Sequence, residues 1–132
     1  MSSWIHVCGI IRMNDLRASE DDIPDFDDLI GKECSYDDLM YDDEIIDDIK
    51  TNPNKYLPLG SEGSLSKSIW INDNIHHTDA YTISIFGDLR DCYEEDAEKI
   101  IEWFKIKCAE CNTRDAMISI RVNTNEPIIW HI

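Results

Sequence analysis

Positive charge is what this sequence has least of: 12 Lys and Arg stand against 28 Asp and Glu, a net charge of −16 over 132 residues. A field of that sign repels phosphate backbones, so direct nucleic-acid binding through a basic patch is disfavoured and a basic protein partner is favoured. Long apolar runs are missing too. No stretch approaches the roughly 18 to 20 residues needed to span a bilayer, and the first residues lack the basic region and apolar core of a signal peptide. The expectation is a cytoplasmic protein without a membrane partner. Only five cysteines occur, at 8, 34, 92, 108 and 111, an odd and scattered set that does not resemble a disulfide framework. With five Gly and four Pro there is no low-complexity segment, and no internal repeat is found.

What is present is a globular pattern, 42% hydrophobic, of a length that suits one domain over 1–132. Its clearest stretch runs from Ala80 to Cys111. Tyr81, Ile83 and Ile85 alternate with Thr82, Ser84 and Phe86 as in a half-buried strand, and Gly87 is expected to end it. Beyond a polar turn, with Asp91 as the expected N-cap, Ala97, Ile100, Ile101, Phe104, Cys108 and Cys111 recur at helical spacing. Ser3 to Met13 reads as a first strand with Ile5, Val7, Ile11 and Met13 on one face. Trp4, His6, Cys8, Ile10 and Arg12 lie on the other, which is either covered or an exposed patch used for association. Gly9 marks a bulge or a close approach of another element.

Asp15 to Lys50 holds fifteen acids against Arg17, Lys32 and Lys50, so most of the net charge sits in this third. It predicts a helical turn at Asp25 to Ile30 and then one helix from an N-cap at Ser35 to near Thr51. Asn52 to Ser68 carries Pro53, Pro58, Gly60 and Gly63 and reads as loop. Short strands follow at 68–72, 116–123 and 128–132, with a turn at 73–79 that includes His76 and His77. The order predicts an α+β ferredoxin-like β-α-β-β-α-β sandwich, with an extra C-terminal edge strand and an acidic insertion after the first strand.

No motif assembles a known active site. Cys108-x-x-Cys111 lies on the apolar face of a helix with no second pair, which favours core packing over metal or redox chemistry. His76 and His77 read as exposed turn residues. Asp88, Arg90 and Asp91 read as local ion pairs and caps. In Gly60-Ser61-Glu62-Gly63-Ser64, two glycines and two serines could turn N–H and O–H groups on an anion, although Glu62 opposes a phosphate and no P-loop or dinucleotide pattern is present. In the acidic third, carboxylates interleave with Phe26, Tyr36, Leu39, Met40 and Tyr41, a surface able to seat on a basic partner.

Leu59 to Leu65, Ile69-Trp70 and Ala80 to Asp91 together resemble a set of small uncharacterised proteins from phages and prophages of AT-rich bacteria. The resemblance implies a mobile-element context, in which small acidic proteins are often accessory factors acting on host machinery, anti-defence inhibitors among them. It assigns no activity and no residue.

The leading expectation is therefore a non-enzymatic acidic inhibitor, DNA-mimic or immunity-like, that engages a basic nuclease or other nucleic-acid-handling protein through Asp37, Asp38, Tyr41, Asp42, Asp43, Asp47 and Asp48. The alternative is a binder of a small anionic, nucleotide-like ligand at Gly60, Ser61, Gly63, Ser64 and Arg90. No cofactor and no metal are expected, and association with further copies of the chain is left open.

Overall fold

In a computed structural model the chain forms a five-stranded antiparallel sheet with its helices on one side, an α+β ferredoxin-like sandwich. The structure describes residues 2–15, 23–71 and 79–132. In chain order the elements are β1 (Trp4–Asp15), α1 (Phe26–Leu29), α2 (Tyr36–Tyr41), α3 (Asp43–Thr51), β2 (Leu59–Gly60), β3 (Gly63–Ser64), β4 (Ser66–Ile71), β5 (Asp79–Arg90), α4 (Glu94–Glu110), β6 (Thr113–Val122) and β7 (Ile128–His131). The main sheet runs β4-β5-β1-β6-β7, and β2 and β3 make a separate hairpin. Residues 16–22 of the acidic third and the turn carrying His76 and His77 lie outside the described residues.

The period-2 pattern decides which face is buried. Ile5, Val7, Ile11 and Met13 of β1, Tyr81, Ile83, Ile85 and Leu89 of β5, and Ile118, Ile120 and Val122 of β6 all point to the helix side and are buried. Ala97, Ile100, Ile101, Phe104 and Cys108 of α4 close over them. Gly9 is the close approach: a Cβ there would sit 3.2 Å from the Phe104 ring and 3.4 Å from Ile118. Phe104 in turn meets Trp130 of the edge strand edge-to-face, at 5.8 Å between ring centroids.

Several elements differ from the sequence expectation: the expected loop at Asn52 to Ser68 holds the β2–β3 hairpin and the start of β4, and β6 begins already at Thr113. The expected helix from Ser35 to Thr51 is two helices, broken at Asp42, whose extended backbone lets its carboxylate accept from Ile45 N at 3.2 Å and cap α3. β5 does not stop at Gly87 but passes through it to Arg90. Gly87 has φ 145° and its absent Cβ leaves room for Leu65, so the glycine bends the strand instead of ending it. Asp91 is not the cap of α4; Tyr93 holds that position, and Asp96 accepts its N–H at 2.8 Å.

Candidate functional site

The acidic residues expected to face a partner are spread over two short helices, and part of the set is already engaged within the chain. Ser35 and Asp38 form a reciprocal capping box, and Asp42 caps α3. Asp48 accepts from the Tyr56 hydroxyl at 2.7 Å and from Asn52 Nδ2 at 3.0 Å, with Lys55 at 3.5 Å. Those donors hold the Asp48 carboxyl below its ordinary value, and the same bond pushes the Tyr56 phenol up to about 12. Asp37, Tyr41, Asp43 and Asp47 are exposed.

The glycine-containing loop is the β2–β3 hairpin, and its donors turn inward. Ser64 Oγ accepts from Cys34 N and donates to the Leu65 carbonyl, both at 2.8 Å. Ser61 N donates to Arg90 O at 3.0 Å and Ser61 Oγ to Asp91 at 2.6 Å. Glu62 pairs with the Arg90 guanidinium, which also donates to Ser2 Oγ. Gly60 is glycine because a Cβ would lie 2.9 Å from the Arg90 backbone, while Gly63 has φ 134° beside Cys34 O. The hairpin thus braces the end of β5 and fixes Arg90.

Arg90 leads to the cleft. Next to it, across the β1–β5 register, is Trp4, with the guanidinium carbon 5.9 Å from the ring centroid. Two pairs further along, and so on the same face, His6 Nδ1 meets Asp88 Oδ1 at 2.5 Å. These side chains stand on the open face of the sheet. With Ser2, Ser3, Asn123 and Thr124, the residues Trp4, His6 and Asp88 line a shallow cleft of about 800 Å³. The two non-glycine residues with positive φ among the described residues, Asp91 at 60° and Asn123 at 52°, flank the strand end that carries it. Both bind the same short segment: Asp91 N donates to Ser3 O at 2.7 Å, and Asn123 N donates to Trp4 O at 2.7 Å while its side chain accepts from Trp4 N at 3.0 Å. Left-handed backbone on Asp and Asn is tolerated where local bonds hold it, and such positions concentrate at functional sites.

The chemistry follows from the pair. In the tautomer whose Nδ1–H donates to the Asp88 carboxylate, Nε2 of the half-exposed His6 ring is left as an acceptor. Arg121 stands opposite His6 on β6, exposed and with no ionic partner among the described residues. The sequence placed His6 on the outer face of β1 and Asp88 in a turn with Arg90 and Asp91. Their partnership was hidden by 82 residues of separation, and the only signal was that both fall on outward positions of strands that pair.

Cys108 and Cys111 are buried in the core, where burial raises both thiols, Cys108 to about 11. Among the described residues no group of three or more His, Cys, Asp or Glu side chains is arranged around a common point for a metal. No helix among them is long and apolar enough to cross a membrane.

No protein-family model matches the chain, and no curated protein matches it. Among solved structures it is similar to a phage SAM lyase in complex with S-methyl-5'-thioadenosine, at 11% identity and a TM-score of 0.40, over 96% of this chain and 88% of that one. That structure is a phage enzyme with a small molecule bound. Against it, the expectations of a non-enzymatic acidic inhibitor and of no enzyme activity are corrected and withdrawn. No residue role passes from that protein to this one.

Proposed function

We propose that this chain is a small-molecule-binding protein, that its ligand is an anionic, nucleotide-like molecule, and that the ligand occupies the cleft at Trp4, His6, Asp88, Arg90 and Asn123. The observation that carries the reading is the His6–Asp88 pair standing with Trp4 in one open cleft, with the Arg90 guanidinium against the Trp4 ring at its edge. An indole offers a flat apolar surface, a guanidinium fixed by Glu62 and Ser2 offers charge at a set position, and an imidazole held by Asp88 offers a ring nitrogen. These are the few convergent polar groups on an aromatic wall that a small-ligand site uses. Asp88 orients the imidazole, so a bound molecule with an acidic proton near Nε2 would meet a positioned general base. The ligand reading thus keeps Arg90 and moves away from the Gly60 to Ser64 hairpin, whose hydroxyls are committed to the chain. A reducing cytoplasm is part of the same proposal, and the five unpaired thiols support it.

The test is calorimetric titration with a panel of nucleosides, nucleotides and inorganic phosphate against the wild type, Trp4→Ala and His6→Gln. A member of the panel that binds the wild type, and binds the Trp4 variant at least tenfold more weakly, supports the site. Equal affinity across the three proteins, or no binding by any member, contradicts it.

A further inference from the structure

The sheet has two faces and the helices cover one. On the other, cross-strand neighbours can be read from the register: Phe86, Cys8, Ser119 and Ile129 form one row across β5, β1, β6 and β7. Ser84, Ile10, Met117 and His131 form the next row. Trp70 stands on the same face at the β4 edge, beside Thr82. Ile10, Trp70, Phe86, Met117 and Ile129 are each between 44% and 58% exposed. Large exposed side chains grouped on one β surface mark an association site, and here Ile10, Phe86, Met117 and Ile129 occupy adjacent rows while Trp70 stands apart at the β4 edge.

Charge says which partner fits. The chain carries −16, yet this face is close to balanced: Arg12, Arg90 and Arg121 stand against Asp88, Asp115 and the Glu62 carboxylate that pairs with Arg90. The described acids of α1, α2, α3 and α4 belong to the helical layer on the opposite side. Two copies of so acidic a protein repel one another on every approach that opposes their helices. Bringing open face to open face keeps the acids furthest apart, buries apolar against apolar, and offers each copy both signs of charge. A groove of about 320 Å³ lined by Ile10, Arg12, Met117, His131 and Ile132 lies on the same surface as the exposed Trp70 and Phe86.

We propose that the open sheet face is the interface with a second copy of this chain, the two sheets stacking roughly 10 Å apart as in a sandwich. The proposal shares the end of the face that carries Arg90 and Asp88 with the ligand cleft, but its apolar contact is made by Ile10, Met117 and Ile129 at the centre and far edge of the sheet. Sedimentation equilibrium across the micromolar range is the experiment. The wild type is expected above the 15.3 kDa of one chain, and more associated in 1 M than in 0.1 M salt, because shortening the Debye length from about 10 Å to about 3 Å screens the repulsion of the two acidic bodies.

Met117→Lys with Ile129→Lys should return the protein to a monomer. Those changes lower the negative charge, so dissociation could not be ascribed to added repulsion. Ile106→Lys, exposed on α4 and off the face, should leave association intact. A second readout needs no variant: Cys8 is exposed on the face, and its reaction with a thiol reagent should slow at least severalfold as protein concentration rises. A monomer at all concentrations and salts overturns the proposal. So does an oligomer that survives the double lysine variant, or a Cys8 rate independent of concentration.

Discussion

Truncating Phe104 tests how the helical layer is tied to the sheet. Its side chain is fully buried, closes over the glycine at position 9 and meets the Trp130 ring at 5.8 Å. Phe104→Ala removes that wedge from a layer that cannot collapse freely, because β1 and β6 on either side are held by continuous pairing. A cost of about 3 to 5 kcal/mol is expected, a large part of the roughly 5 to 15 kcal/mol by which a domain of this kind is stable. Gly9→Ala is the partner mutation. Its new Cβ would stand 3.2 Å from the ring and 3.4 Å from Ile118, tighter than ordinary packing, so alone it should destabilise by about 1 kcal/mol or more. With Phe104 already truncated, the methyl enters vacated space, and the second mutation should cost less than it does in the wild type. Urea unfolding of the four proteins gives the coupling. Strict additivity, or a Phe104→Ala loss no larger than that of a surface substitution, would refute this account of the core.

Thiol chemistry should divide the five cysteines: at low protein concentration Cys8 reacts fast while Cys34, Cys92, Cys108 and Cys111, all buried, wait for unfolding, as peptide mapping after timed labelling would show. Asp42→Ala removes the carboxylate between α2 and α3 and should cost about 1 kcal/mol in urea unfolding, with the loss of protection at Ile45 N–H visible by hydrogen exchange. For Asp48 the folded-state value lies below the ordinary 3.8, so its contribution is present at neutral pH and fades as pH falls from about 4 through that lowered value. Tyr56→Phe removes the principal donor, so the Asp48 carboxyl should titrate closer to its ordinary value in carbon-detected NMR. For Tyr56 the sign is opposite: raised to about 12, it stabilises below pH 10 and loses that contribution as pH rises from 10 toward 12.

Much of the fold was legible because strand parity and helix spacing are local. Ile5 to Met13, Tyr81 to Ile85 and Ala97 to Cys108 each state their buried face within a dozen residues. Local breakers were read less well, since their meaning depends on neighbours. Gly87 resembles a terminator until Leu65 occupies its missing side chain, and the break at Asp42 is invisible while its carboxylate reads as one more acid in an acidic run. The hairpin at Gly60 to Ser64 carried a real backbone signal, but the requirement for glycine came from the Arg90 backbone and not from an anion. His6, Asp88, Trp4 and Asn123 gave no sequence signal as a set. They meet because residues from both ends of the chain and the end of β5 converge on one edge of the sheet, a product of topology alone.

The central claim, that the cleft at His6 and Asp88 is the ligand site, is tested most directly by amide and imidazole NMR of the labelled protein titrated with the binding member of the nucleotide panel. The account predicts saturable shifts at Trp4, His6, Asp88, Arg90 and Asn123, with the His6 ring nitrogens moving together. Shifts confined to Gly60 to Ser64, or to the acids of α2 and α3, would contradict it.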